Sequence, residues 1–216
     1  AVDGAMLAKL RNIGQACTAA NRFIVHESLA DEFANRIAKR MEEMPLGRGV
    51  DADTKMGPVI NEKARANLKR LVDATVSEGG EIVTGGSYVD GDGYFFRPTV
   101  LANVKPGSTI LNEEIFGPVA PIVRFKDEDE AIRLANDTEY GLVSYAYTQD
   151  LKRGLRLVER LETGMTGLNT GLVSNAAAPF GGVKQSGLGR EGSHHGMDDY
   201  LELKYVCIGD ILPRAS

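Results

Sequence analysis

Cys17 lies in the run Asn12-Ile13-Gly14-Gln15-Ala16-Cys17-Thr18-Ala19-Ala20-Asn21-Arg22, and the only other cysteine, Cys207, is far along the chain. A lone cysteine among small and polar residues suits a nucleophile better than half of a disulfide or a metal ligand. The thiolate is the form that attacks a carbonyl carbon, and a free thiol titrates at about 8.5, so local structure must favour the anion. Ala19 and Ala20 are good helix formers. They predict a helix N-terminus at Cys17, whose dipole would favour the thiolate and whose N–H groups could hold an oxyanion. Burial habits alone favour a plain core cysteine, and the decision between the two readings comes from elsewhere in the chain.

Three other features could do chemistry and are weaker. Gly187-Leu188-Gly189-Arg190-Glu191-Gly192 spells G-x-G-x-x-G. A dinucleotide fingerprint follows a strand, opens a helix and sits inside a βαβ unit, and too little chain follows here to complete one. His194 and His195 have no third ligand at suitable spacing, so the reading is exposed loop histidines and no metal site. His26 has nothing about it that makes it a base, which disfavours a cysteine hydrolase.

The elements that must position Cys17 follow from periodicity. Val2, Met6, Leu7 and Leu10 form one helical stripe ahead of it. Phe23-Ile24-Val25 reads as a buried strand, followed by a helix capped by Ser28 and carrying Leu29, Phe33, Ile37 and Met41. Asn61 caps a helix with Ala64, Leu68, Leu71 and Val72, stopped by Gly79-Gly80. Strands are expected at Glu81 to Thr84, within Tyr94 to Val104 (broken by Pro98), at Val119 to Phe125, at Leu142 to Tyr147 and at Thr166 to Leu168. Asp127 and Asp150 cap two further helices, Gly181 to Gly196 is a glycine-rich loop, and Tyr200 to Ile208 alternates as a final strand. Strands alternating with helices give an α/β fold, a mostly parallel sheet with helices on both faces. The final strand would expose an apolar edge, which proteins usually cover. The expected boundaries are one domain over residues 1–198 and a terminal strand and tail over 199–216.

Composition narrows the function classes. The 216 residues are 43% hydrophobic and 25% charged, with a formal net charge of −5. Acidic and basic residues are interspersed, which argues against nucleic acid as a partner. No apolar run approaches the ~20 residues that span a bilayer, so no membrane is expected, and no secretory signal is visible. Two cysteines far apart in sequence suit free thiols in the cytoplasm. The chain opens Ala1-Val2-Asp3-Gly4 without an initiator methionine, as a piece of a longer protein would.

Two further stretches accompany the cysteine run: Glu113-Glu114-Ile115-Phe116-Gly117-Pro118 and Pro179-Phe180-Gly181-Gly182-Val183-Lys184-Gln185-Ser186-Gly187. Together and in this order, the three resemble the motifs of the aldehyde dehydrogenase superfamily, whose nucleophile segment reads N-x-G-Q-x-C. The resemblance covers almost the whole chain and corresponds to the C-terminal half of such an enzyme. It implies that Cys17 adds to an aldehyde, that hydride then passes to NAD or NADP, and that water hydrolyses the resulting thioester. It also implies that Glu114 holds the nicotinamide ribose hydroxyls, while Phe116 packs near the nicotinamide ring. The family's catalytic glutamate, its asparagine oxyanion donor and its nucleotide-binding domain would lie upstream, so this polypeptide alone is expected to be inactive.

Within the superfamily the chain is most similar to the succinate-semialdehyde dehydrogenase branch. There an arginine at the place of Arg11 and a serine at the place of Ser174 bind the substrate's far carboxylate, for which a planar guanidinium is well suited. Phe180 would line the aldehyde tunnel. Some members carry a second cysteine two residues after the nucleophile, where this chain has Ala19, so no local disulfide switch is expected. The alternatives are another aldehyde (glutarate semialdehyde or an uncharged one) or an inactive fragment that self-associates. In the family the terminal strand joins a neighbour's sheet, which implies a homo-dimer or tetramer.

Overall fold

Val100 and Leu101 are neighbours in one short strand, both wholly buried, yet they belong to different cores. Successive strand residues point to opposite faces, so both faces of the sheet they occupy are covered. The computed structural model describes residues 1–209. Its main sheet contains β1 (Phe23–His26), β2 (Glu81–Thr84), β3 (Thr99–Ala102) and β4 (Val119–Phe125), in the order β1-β4-β3-β2. β1 and β3 both run parallel to β4, and β2 is antiparallel to β3. The near-continuous apolar run of β4 is what a strand buried on both faces requires.

One face packs α1 (Val2–Leu10) and α2 (Glu27–Glu42) around Ala5, Ile37, Met41, Val100 and Ile122. The other packs α3 (Glu62–Ser77) and the single turn α4 (Thr109–Asn112) around Leu68, Leu71, Leu101, Val119 and Val123. In α3 the buried set is Leu68, Leu71, Val72 and Thr75, one stripe at helical spacing, and the Thr75 hydroxyl is satisfied by the Leu71 carbonyl at 2.8 Å. The Asn61 side chain accepts from Ala64 N–H to cap this helix, and Gly79 ends it at φ +98°, a left-handed conformation that costs glycine little.

The second part of the chain builds α5 (Glu128–Asn136), β5 (Tyr140–Gly141), β6 (Val143–Ala146), α6 (Leu151–Arg160), β7 (Met165–Leu168) and β8 (Val183–Lys184). β6 and β7 form a separate parallel pair, and β5 pairs with β8 antiparallel. Asp127 and Asp150 cap α5 and α6 as their sequence positions predict. No helix is long and apolar enough to cross a membrane among the described residues.

Three expectations are corrected. The cap of α2 is His26, whose imidazole accepts from the Ser28 N–H, because β1 runs straight into the helix and leaves no residue between them. Cys17 does not open a helix. It lies in a turn closed by a 2.9 Å bond from Ala19 N–H to the Ala16 carbonyl. Tyr200 to Ile208 is not a strand: a 3₁₀ turn covers His195–Tyr200, and residues 201–209 are exposed and unpaired. A strand exists only through its ladder, and no other described strand reaches this segment. Residues 210–216 of the expected tail lie outside the described residues.

Candidate active site

The loop that carries Cys17 is held in a strained shape. After α1 the chain makes a 3₁₀ turn over Arg11–Gly14, with Asn12, Ile13 and Gly14 all at positive φ. A β-branched residue such as Ile13 rarely adopts this conformation, which costs on the order of 1–3 kcal/mol and must be over-determined by its surroundings. Those surroundings are present. Asn12 Nδ2 donates to the Gln15 carbonyl at 2.8 Å, Gln15 Oε1 accepts from Ile60 N–H at 2.9 Å, and Ile13 packs on the α3 core. At the base of the loop Ala20 N–H donates to Ala8 O at 3.0 Å, while Lys9 Nζ donates to Ala20 O at 3.0 Å. Burial alone pulls the Lys9 pKa down to about 7.

Cys17 is exposed at the crest of this loop. Its own N–H and that of Thr18 donate to no acceptor among the described residues. From the far side, Tyr145 Oη donates to the Thr18 carbonyl at 3.0 Å, and burial raises the Tyr145 pKa.

The segment Glu113–Pro118 is fastened to the same loop. Asn21 clamps it twice, donating to Glu113 O and accepting from Ile115 N–H, both at 2.9 Å. Gly14 lies so close to Gly117 that an added Cβ would stand 2.3 Å from the Gly117 oxygen. The two adjacent carboxylates are thereby separated in role. Glu113 forms an ion pair with Arg70 of α3, whereas Glu114 is exposed and has no ion-pair or hydrogen-bond partner among the described residues. Phe116 is also exposed, held at φ +48°. Cys17, Glu114 and Phe116 border one cavity of about 1110 Å³.

Arg11 and Ser174 are 163 residues apart in sequence, and the fold brings Arg11 Nη1 to 3.5 Å from Ser174 Oγ, at the limit of a hydrogen bond. Both are exposed. Phe180 is half-buried and exchanges two 2.8 Å backbone bonds with Glu191. None of these three borders the cavity that Cys17 enters. Sequence reasoning missed Lys9, Asn21 and Tyr145 as supports of the loop. Asn21 stands inside the quoted motif, whereas no spacing signal marks Tyr145.

The G-x-G-x-x-G run leads into the 3₁₀ turn, not an α-helix, and Asp199 Oδ2 accepts from Arg190 N–H within it. His194 and His195 stack on each other at the surface. No group of three His, Cys, Asp or Glu side chains able to hold a metal ion occurs among the described residues.

Residues 1–206 match the model of the aldehyde dehydrogenase family. A succinate-semialdehyde dehydrogenase of Paenarthrobacter nicotinovorans is 55% identical over 97% of this chain and 47% of its own length. A glutarate-semialdehyde dehydrogenase of Pseudomonas putida is 48% identical over 96% of this chain and 43% of its own length. The crystal structure of a succinate-semialdehyde dehydrogenase from Burkholderia pseudomallei superposes with a TM-score of 0.93 at 49% identity, covering 96% of this chain and 43% of that one. The chain thus spans a little under half the length of the relatives it matches. By sequence and by fold, it belongs to the aldehyde dehydrogenase family.

Proposed function

We propose that this chain carries the nucleophile of an NAD(P)-dependent dehydrogenase that oxidises a small aldehyde bearing a carboxylate, with succinate semialdehyde the preferred substrate. The observation that carries the reading is the shared cavity: an exposed thiol, a carboxylate without a partner among the described residues and an exposed aromatic ring border one space. Cys17 attacks the carbonyl carbon, and the N–H groups of Cys17 and Thr18 are free to hold the oxygen that becomes negative. Glu114 is a pair of acceptors suited to ribose hydroxyls, and Phe116 is an apolar platform for a flat ring. The nicotinamide cofactor, when bound, accepts a hydride from the substrate.

Arg11 with Ser174 beside it forms a donor cluster suited to a carboxylate at the far end of the substrate. Succinate and glutarate semialdehydes both carry such a group, and both appear in the names of the relatives. The test is a chimera in which this chain replaces the matched residues of the Paenarthrobacter protein. In it, Arg11→Leu is expected to raise KM for succinate semialdehyde roughly 10- to 100-fold, the value of a charged hydrogen bond, and to leave KM for an uncharged aldehyde within about twofold. Equal effects on both would remove Arg11 from the carboxylate site.

A second reading concerns assembly. Tyr200, Leu201, Leu203, Tyr205 and Val206 are all exposed in one stretch, which favours a neighbour's surface as their cover and a homo-oligomer as the working form. The exposed free thiols of Cys17 and Cys207 suit a reducing compartment such as the cytoplasm.

A further inference from the structure

Arg11 and Ser174 come from distant parts of the chain, and a second contact close to both governs how they meet. Gly4 of α1 lies seven residues before Arg11, and Gly171 lies three residues before Ser174. Where these two glycines touch, the backbones leave no room for a side chain. A Cβ added to Gly171 would stand 2.2 Å from the Gly4 oxygen and 2.9 Å from its carbonyl carbon. Gly171 is buried and does not have a positive φ, so its missing side chain serves the close approach and not a turn. A Cβ on Gly4 would in turn stand 1.6 Å from the Tyr147 hydroxyl. Glycine inside a helix is less stable than alanine, so the position needs a reason, and the packing of Tyr147 on α1 supplies one.

Tyr147 and Gly171 move together. Asn169 Nδ2 donates to the Thr148 carbonyl at 2.8 Å, and Asn169 Oδ1 accepts from Thr148 N–H at 2.9 Å. This pair fastens the loop that carries Ser174 to the end of β6, so both glycine contacts rest one unit on α1. Arg11 directly follows α1, about two helical turns beyond Gly4. Arg11 Nη1 and Ser174 Oγ stand 3.5 Å apart, at the limit of a hydrogen bond. A small retreat of the loop from α1 therefore separates them.

We propose that Gly4 and Gly171 are positioning residues whose backbone contact sets the spacing of Arg11 and Ser174, and with it the length of acid aldehyde whose carboxylate both can hold at once. The inference rests on the carboxylate role given to Arg11 and Ser174 above. A side chain at position 171 meets the Gly4 carbonyl, which is backbone in a helix and cannot swing aside, so the loop gives way. Ser174 then leaves the carboxylate, while Arg11 at the end of α1 stays. The substrate keeps one of its two holds, and an aldehyde without a carboxylate loses nothing.

The test uses the full 216-residue chain and reads protection of Cys17 from iodoacetamide. The thiolate adds reversibly to the aldehyde carbon and the carbonyl oxygen takes a proton, so bound aldehyde blocks alkylation. Succinate semialdehyde is compared with butanal, an uncharged aldehyde of the same carbon count. Gly171→Ala is expected to raise the half-protecting concentration of succinate semialdehyde about fivefold or more, the loss of one hydrogen bond to a charged group, and to leave butanal within twofold. Ser174→Ala should do the same, and the two substitutions together should do no more than either alone, because the glycine acts through the serine. Gly4→Ala, which displaces Tyr147, should repeat the pattern and decides the matter if Gly171→Ala does not fold. Additive losses, equal losses for both aldehydes, or loss of the fold in both glycine variants would assign the contact to stability alone and overturn the proposal. Protection that depends on Ser174 but on neither glycine overturns it while sparing the carboxylate reading. An unaltered chain protected no better by succinate semialdehyde than by butanal fails that reading itself, and the proposal falls with it.

Discussion

From Phe23 to Phe125 the chain closes on itself, whereas from Tyr140 onward it does not. In the first region Leu68, Leu71, Val72, Leu101 and Ile110 are all wholly buried, and both faces of the sheet are covered. In the second, α6 buries only Gly154, while Leu151, Leu155 and Val158 face outward and Leu188 is 98% exposed. Both regions have ordinary amphipathic sequences, so composition does not separate them. The difference is in partners: the first region supplies both sides of its interfaces, and the second presents apolar surface that none of the described residues covers. The Cys17 loop sits at the seam, tied to Glu113 of the first region through its own Asn21 and held from the second by Tyr145.

The largest expected effect is on stability. Leu68→Ala should destabilise the chain by about 2–5 kcal/mol in denaturant unfolding, since it opens a cavity in a filled core. Leu155→Ala on the open face of α6 should stay within about 0.5 kcal/mol. Similar losses at both positions would show that the second region is as well packed as the first.

Lys9 tests the seam. Its folded pKa of about 7 lies below the ordinary lysine value because burial disfavours the charge. Between those two pKa values the unfolded chain holds more protons, so stability rises with pH through that window, by at most about 1.4 kcal/mol per unit. Lys9→Met should flatten this rise between pH 7 and 10. An unchanged slope in the variant would assign the pH dependence to other groups.

A smaller effect is expected where α5 meets α6 through charge. Glu128 of α5 is held by Arg156 and also by Arg153 of α6, and Arg156 is the main cause of a carboxyl pKa depressed to about 2. A depressed pKa contributes stability above the unfolded value near 4.3, and that contribution is lost as pH falls towards 2. Glu128→Gln should therefore remove part of the acid sensitivity between pH 5 and 2, and most at low salt, because both arginines are exposed and Glu128 is only half-buried. Identical acid titrations of the two proteins would contradict this link.

How much of this was legible in the sequence depends on the range of the interactions. Asn61, Asp127 and Asp150 were readable as caps because an Asx cap is settled by residues three apart. Ser28 misled because a histidine two residues earlier occupies the cap, which strong Asx and Ser preferences hide. The turn at Cys17 was unreadable for another reason. Ala19 and Ala20 favour helix, and what overrides them is the Tyr145 tie and the packing of Ile13, contacts made far away in sequence. The approach of Arg11 to Ser174 came from family resemblance alone, since no local pattern links residues 163 apart. The final strand was expected from alternation, but alternation describes a strand's faces and says nothing of its neighbour.

If Cys17 is a nucleophile poised in an open site, Cys207 is its internal control, being also exposed but in a stretch that is unpaired among the described residues. The most direct measurement is competitive alkylation by iodoacetamide at pH 7, followed residue by residue with peptide mass spectrometry, with and without succinate semialdehyde. Cys17 is expected to react several-fold faster than Cys207, and the aldehyde to slow Cys17 alone. Equal rates at the two thiols, with no protection by the aldehyde, would contradict it.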